Sequence, residues 1–108
     1  MLVDTTADLI ISQGDTFDMV FSLGCYHLGK KDEVIFSIMK TVIDENVLIR
    51  KSYTNLEGNC FRVVIPAQEM SKLKAGTYAY DVLVISSGMK KTFNFPNKLV
   101  IRGVVHRE

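Results

Sequence analysis

The amino-acid sequence predicts a single all-β domain, an antiparallel sandwich of seven to eight strands. Apolar side chains recur at every second position in several short segments, which is the period of a strand with one buried face. Turn-forming residues interrupt these segments roughly every ten residues, a spacing typical of sandwiches and barrels. No long segment with a 3.6-residue period separates two strands, so the pattern excludes βαβ units.

The alternation identifies most strands directly. In segment 16–23, Phe17, Met19, Phe21 and Leu23 share one face. In segment 60–65, Phe61, Val63 and Ile65 do the same. The predicted strands are 8–13, 16–23, 33–40, 47–53, 60–65, 77–86, 89–95 and 98–105.

Turn signals place the boundaries between these strands. Pro66 ends segment 60–65, because proline cannot donate to the strand ladder. Residues 67–73 form the one predicted helical turn, which is too short to be a stable helix by itself. Ser87-Gly88 is typical of a tight β-hairpin turn.

Composition and charge exclude several classes of function. The 108 residues match one domain, and a hydrophobic content of 47% is enough for a core. The net charge is +1 and basic residues are scattered as pairs, so we expect no nucleic-acid partner. No apolar stretch reaches the length of a membrane helix, so no membrane is expected. Segment 1–11 lacks a basic region, which predicts synthesis in the cytoplasm without a signal peptide.

No residue pattern indicates an enzyme, a cofactor or a metal ion. Segment 24–30 resembles part of a phosphate-binding loop, but Lys31 follows where Ser or Thr is required, and a strand follows where a helix is required. His27 and His106 are not spaced as metal ligands. Cys25 and Cys60 are too few for a disulfide scaffold, and the sequence leaves open whether they form one bridge.

A short turn, a glycine and a tyrosine precede the longest strand. Leu73-Lys-Ala-Gly76-Thr-Tyr78 has the pattern of a tyrosine corner, in which the hydroxyl group bonds to backbone a few residues upstream. Tyr78 is the predicted corner residue. The pattern favours an immunoglobulin-like sandwich. It is not of the antibody type, because position 80 is Tyr where those domains have Cys, and the chain has no Trp.

Two strands are apolar on both faces, which predicts a contact surface. Leu83 and Ile85 lie opposite the inward face of segment 77–86, and Ile35 and Met39 lie opposite that of segment 33–40. An exposed patch of these four residues would need a partner. The alternative is that a loop or the N-terminal segment covers them. Tyr26 and Tyr53, at loop edges, are the candidates for a ligand-binding surface.

The order of turns and strands resembles a known family. The segments that carry the resemblance are Ile11-Ser-Gln-Gly14-Asp15-Thr16-Phe17, then Leu73 to Val82, then Gly88, then a strand after Pro96. Together they look like the small immunoglobulin-like domains of tailed-phage and prophage structural proteins, such as the N-terminal domain of baseplate upper proteins and neck or tail accessory proteins.

The resemblance implies a non-enzymatic module in a virion. Its expected partners are other virion proteins and further copies of itself. A carbohydrate- or cell-surface-binding sandwich, with its site at the two loop tyrosines, is the alternative hypothesis.

Overall fold

The computed structural model describes residues 2–4, 8–40, 47–92 and 97–103, and in these residues the fold is an all-β sandwich, as predicted. One helical turn, α1 (Ala67–Met70), lies between the sixth and seventh strands. The predicted ends of the last two strands, and His106, lie outside the described residues. The strands are β1 (Leu2–Asp4), β2 (Leu9–Ser12), β3 (Phe17–Ser22), β4 (Glu33–Met39), β5 (Val47–Tyr53), β6 (Cys60–Ile65), β7 (Gly76–Ser86), β8 (Met89–Thr92) and β9 (Asn97–Arg102).

The strands form two sheets. The smaller has the order β1-β3-β6, and the larger has the order β2-β9-β7-β4-β5, with β8 also paired to β7. The predicted all-β sandwich is confirmed, while the strand count and part of the pairing differ from the expected seven to eight antiparallel strands. The described residues contain nine strands, and the pairs β1–β3 and β2–β9 are parallel. The reason is that the N-terminal segment supplies one short strand to each sheet without a hairpin, and only a hairpin forces neighbours to run antiparallel.

Aromatic rings from both sheets form the centre of the core. Phe17 and Phe21 come from β3, and Phe36 and Tyr80 come from β4 and β7. The Phe36 ring centroid lies 5.4 Å from those of Phe17 and Phe21, and 5.7 Å from that of Tyr80. These are favourable distances for aromatic pairs, so Phe36 joins the two sheets.

The tyrosine corner fixes the entry of the chain into β7. Tyr78 is buried, and its hydroxyl donates a 2.7 Å hydrogen bond to the backbone carbonyl of Lys74. The buried hydroxyl is therefore satisfied, and the turn after α1 is held against the strand. The Lys40 ammonium group lies 4.5 Å from the ring centroid, in cation–π geometry.

The β7–β8 hairpin closes on two residues that both have positive φ, as a type I′ turn requires. Ser86 pairs with Met89, and the residues between them are Ser87 at φ 52° and Gly88 at φ 81°. We expect Gly88→Ala to lower stability by about 1 kcal/mol, because a Cβ is unfavourable in the left-handed region. Ser87→Asn, the matched change, should raise it by a few tenths of a kcal/mol, since Asn tolerates that region. Urea unfolding measures both, and equal effects of the two changes would contradict the turn assignment.

Candidate functional site

The outer face of the larger sheet, the side turned away from the smaller sheet, brings the four predicted contact residues together. In the β4–β7 pairing, Ile35 lies directly opposite Leu83, and Ile85 opposite Glu33. Met39 lies at the other end of β4, opposite Ala79. The apolar side chains thus lie toward both ends of the two central strands.

These residues line a shallow groove of about 420 Å³. Ile35, Leu83 and Ile85 are half-buried, whereas Met39 is only 6% exposed. The described N-terminal strands do not cover the groove, because β1 extends the smaller sheet and β2 extends the far edge of the larger one. The groove lies at the centre of the outer face and combines apolar with polar side chains.

A row of three polar residues crosses this groove. Ser37 on β4 pairs with Arg50 on β5 and with Asp81 on β7. No hydrogen bond or ion pair within the described residues holds the Asp81 carboxylate. Burial raises the pKa of Asp81, and the field of Arg50 opposes that rise only in part. This row was not predicted from the sequence, although a lone Asp between Ala79 and Leu83 on an apolar face is a visible signal.

We expect Asp81→Asn to stabilise the protein at neutral pH. A carboxyl group whose pKa is raised by folding favours the native state when protonated, and this contribution is lost as the pH rises through the folded-state pKa. An asparagine side chain does not ionise, so the Asp81→Asn variant keeps this stability at neutral pH. Its melting temperature at pH 7 should therefore exceed that of the wild type. The two should converge below about pH 4, where the wild-type carboxyl is protonated. The measurement is thermal unfolding at several pH values and low protein concentration.

Asp18 provides the control of opposite sign. Arg62 donates two hydrogen bonds to its carboxylate, at 2.8 and 2.6 Å, and these hold the pKa of Asp18 below its ordinary value. A depressed pKa contributes stability above the unfolded-state value and loses it in acid, so Asp18→Asn should lower the melting temperature at pH 7. If Asp81→Asn also lowered the melting temperature at pH 7, the charged carboxylate of Asp81 would stabilise the folded state, and the interpretation that its burial is unfavourable would be wrong.

The two loop tyrosines lie at one end of the sandwich and pack against the core. Tyr53, at the end of β5, pairs with the buried Val34. Tyr26 borders a shallow depression at the β7–β8 hairpin, and the Lys91 ammonium group lies 5.5 Å from its ring centroid. Both rings are half-buried and contact the hydrophobic core. Part of each ring is therefore used in core packing, and only the remainder is open to a ligand.

The loop that resembles a phosphate-binding loop leads into strand β4 and not into a helix. The Asp32 carboxylate accepts a 2.9 Å hydrogen bond from the Gly29 backbone, and this bond lowers the pKa of Asp32, with a second contribution from Ser86. A phosphate group would need backbone N–H donors in this loop. The Asp32 carboxylate already accepts from one of these N–H groups, and its negative charge would repel a phosphate. Cys25 and Cys60 are both free thiols, and His27 is exposed.

Metal-ligating side chains do not cluster in the part of the chain that the structure describes: no three His, Cys, Asp or Glu residues come together there. A search of the same residues finds no helix that is long and apolar enough to span a membrane.

Comparison with known proteins gives little similarity. No family model and no curated protein matches the chain. Among solved structures, it is similar to an alternative pilotin from the type II secretion system of Vibrio cholerae. The sequence identity is 12% and the TM-score 0.47, over 81% of this chain and 96% of the pilotin. At this level of similarity nothing is transferred from the pilotin, and the interpretation depends on the chain's own surface.

Proposed function

We propose that the protein is a non-enzymatic structural module that acts through protein–protein contacts on its outer face. The resemblance to small phage and prophage domains suggests that its setting is a virion. Such a module needs a stable core and one adhesive surface, and no catalytic group.

One observation carries this proposal: the outer face gathers large apolar side chains at positions where a solvated strand face would be polar. Ile35 and Leu83 face each other across neighbouring strands, and Ile85 and Met39 extend the surface along them. When a partner covers these exposed apolar side chains, their surface leaves water, and this transfer favours association.

Purified particles test the proposed setting. Virions or tail-like particles induced from the strain that carries the gene are separated on a density gradient, and the protein is quantified by mass spectrometry. We expect it at several copies per particle, and we expect deletion of the gene to reduce the yield of complete particles. Absence of the protein from the particle fraction, with normal yield after deletion, would contradict the proposal.

The depression beside Tyr26 supports the second candidate, a carbohydrate-binding module. Its lining combines an aromatic ring with Lys90, Lys91 and the exposed Met89. A glycan array distinguishes the two functions. A specific hit that is lost in Tyr26→Ala and kept in Leu83→Lys would favour carbohydrate binding, and an empty array favours the structural module.

A further inference from the structure

We propose that the partner of the outer face is the outer face of a second copy of the chain, packed in a two-fold symmetric dimer. This inference rests on the proposed function, because it names the partner of the same surface. The order of charges in the row formed by Arg50, Ser37 and Asp81 favours this partner.

The two charged residues lie on either side of the central strand. Arg50 and Asp81 both pair with Ser37, from β5 and from β7 respectively. With neighbouring strands about 4.8 Å apart, their backbones are roughly 10 Å from each other. Within the described residues no salt bridge holds either side chain, and each acts on the other only through its field across the width of one strand. Each charge can therefore form a direct ion pair with a group above the sheet.

Symmetry then matches each charge with its opposite. When two outer faces pack together about a two-fold axis parallel to β4 and above Ser37, the axis exchanges the two sides of the strand. Arg50 of each copy is placed over Asp81 of the other, and the contact forms twice. An axis across the strands would oppose Arg50 to Arg50 and Asp81 to Asp81. The charge pattern therefore selects a single orientation of the dimer.

The same axis buries the apolar part of the groove. Ile35 lies on the strand below the axis and is half-buried, so it meets its counterpart in the second copy. Glu33 also lies on this strand, at its end, where water screens it and where the Ser52 hydroxyl donates a hydrogen bond to it. Like charge at this rim costs little compared with the two central ion pairs.

The size of the face predicts a weak dimer. Seven residues of β4 span about 23 Å, and four neighbouring strands span about 20 Å. The resulting area of roughly 450 Å² is close to half of the ~800 Å² that each partner contributes to a standard interface. We therefore expect association at high protein concentration, or where an assembly holds many copies close together.

Reversal of the charges tests this arrangement by sedimentation equilibrium. Arg50→Asp creates two contacts between carboxylates, and Asp81→Arg creates two contacts between guanidinium groups. Each variant alone should have a dissociation constant raised about tenfold or more. An equimolar mixture of the two variants should dimerise again, because one contact in the mixed dimer is native and the other is a reversed ion pair. Lys74→Asp, an equal change of charge in an exposed turn, should dimerise as the wild type does.

Each outcome decides between the alternatives. Wild-type protein that stays monomeric at millimolar concentration would overturn the dimer, as would unchanged dimerisation of Arg50→Asp, whose exposed position tolerates the substitution. Dimerisation in both single variants but not in the wild type would also overturn it. A monomeric protein that is still found in particles would refute the dimer alone, with a different partner on the outer face. A dimer that follows the charge pattern, in a protein absent from particles, would refute only the virion setting.

Discussion

Replacement of Phe36 with alanine is expected to lower the free energy of unfolding by about 3–5 kcal/mol. Phe36 is fully buried, and its ring lies within 6 Å of those of Phe17, Phe21 and Tyr80. Its removal leaves a cavity between the two sheets that the surrounding rings fill only in part, so contacts to both sheets are lost together. For a domain of this size the melting temperature should fall by more than roughly 12 °C.

The control is Val64→Ala, on the exposed side of β6. Val64 is 42% exposed and pairs with Asp18 on the outer surface of the smaller sheet. Its truncation should change stability by about 0.5 kcal/mol or less. Denaturant unfolding followed by circular dichroism measures both variants. Comparable losses for the two would mean that the ring of Phe36 does not hold the sheets together.

Strands whose inward faces alternate regularly could be predicted from the sequence because the signal is local. Segments 47–53 and 60–65 were predicted with the bounds that the structure has for β5 and β6. The Tyr78 hydrogen bond to Lys74 is local in the same sense, since the two residues are four positions apart. Periodicity and turn chemistry act over a few residues, and a sequence displays both directly.

Strand β1 could not be predicted in the same way. Its three residues are too few to show an alternating pattern. It pairs with β3, from which it is separated in the chain by β2. The parallel direction of this pair depends on β2 crossing to the other sheet between them. The direction in which two such strands pair is determined by tertiary packing, so the residues of either strand alone do not indicate it.

The candidate site was predictable in its residues but not in its geometry. Alternation placed Ile35 and Leu83 on outward faces, but their direct opposition depends on the register between β4 and β7. The same register aligns Asp81 with Ser37, and the register between β4 and β5 adds Arg50 to the row. Register follows from the pairing of strands that are distant in sequence, so the charge row became visible only in the structure.

Lysine at two adjacent positions of β7 is expected to have opposite consequences. Val82 is fully buried and points into the core, where it pairs with Phe36 across the strands. An ammonium group there has no partner, and its desolvation costs several kcal/mol, a large part of the total stability of a small domain. We expect Val82→Lys to be mostly unfolded at 25 °C.

Leu83→Lys should instead fold and lose association. Leu83 is half-buried on the outer face, so a lysine can keep its ammonium group in water while its methylene groups cover the sheet. In a dimer the charge would be buried against the second copy, which should shift the equilibrium to monomer. Circular dichroism reports folding, and size-exclusion chromatography with light scattering reports mass at high concentration. If Leu83→Lys unfolds like Val82→Lys, residue 83 belongs to the core; if it stays folded and still associates, the outer face is not the contact surface.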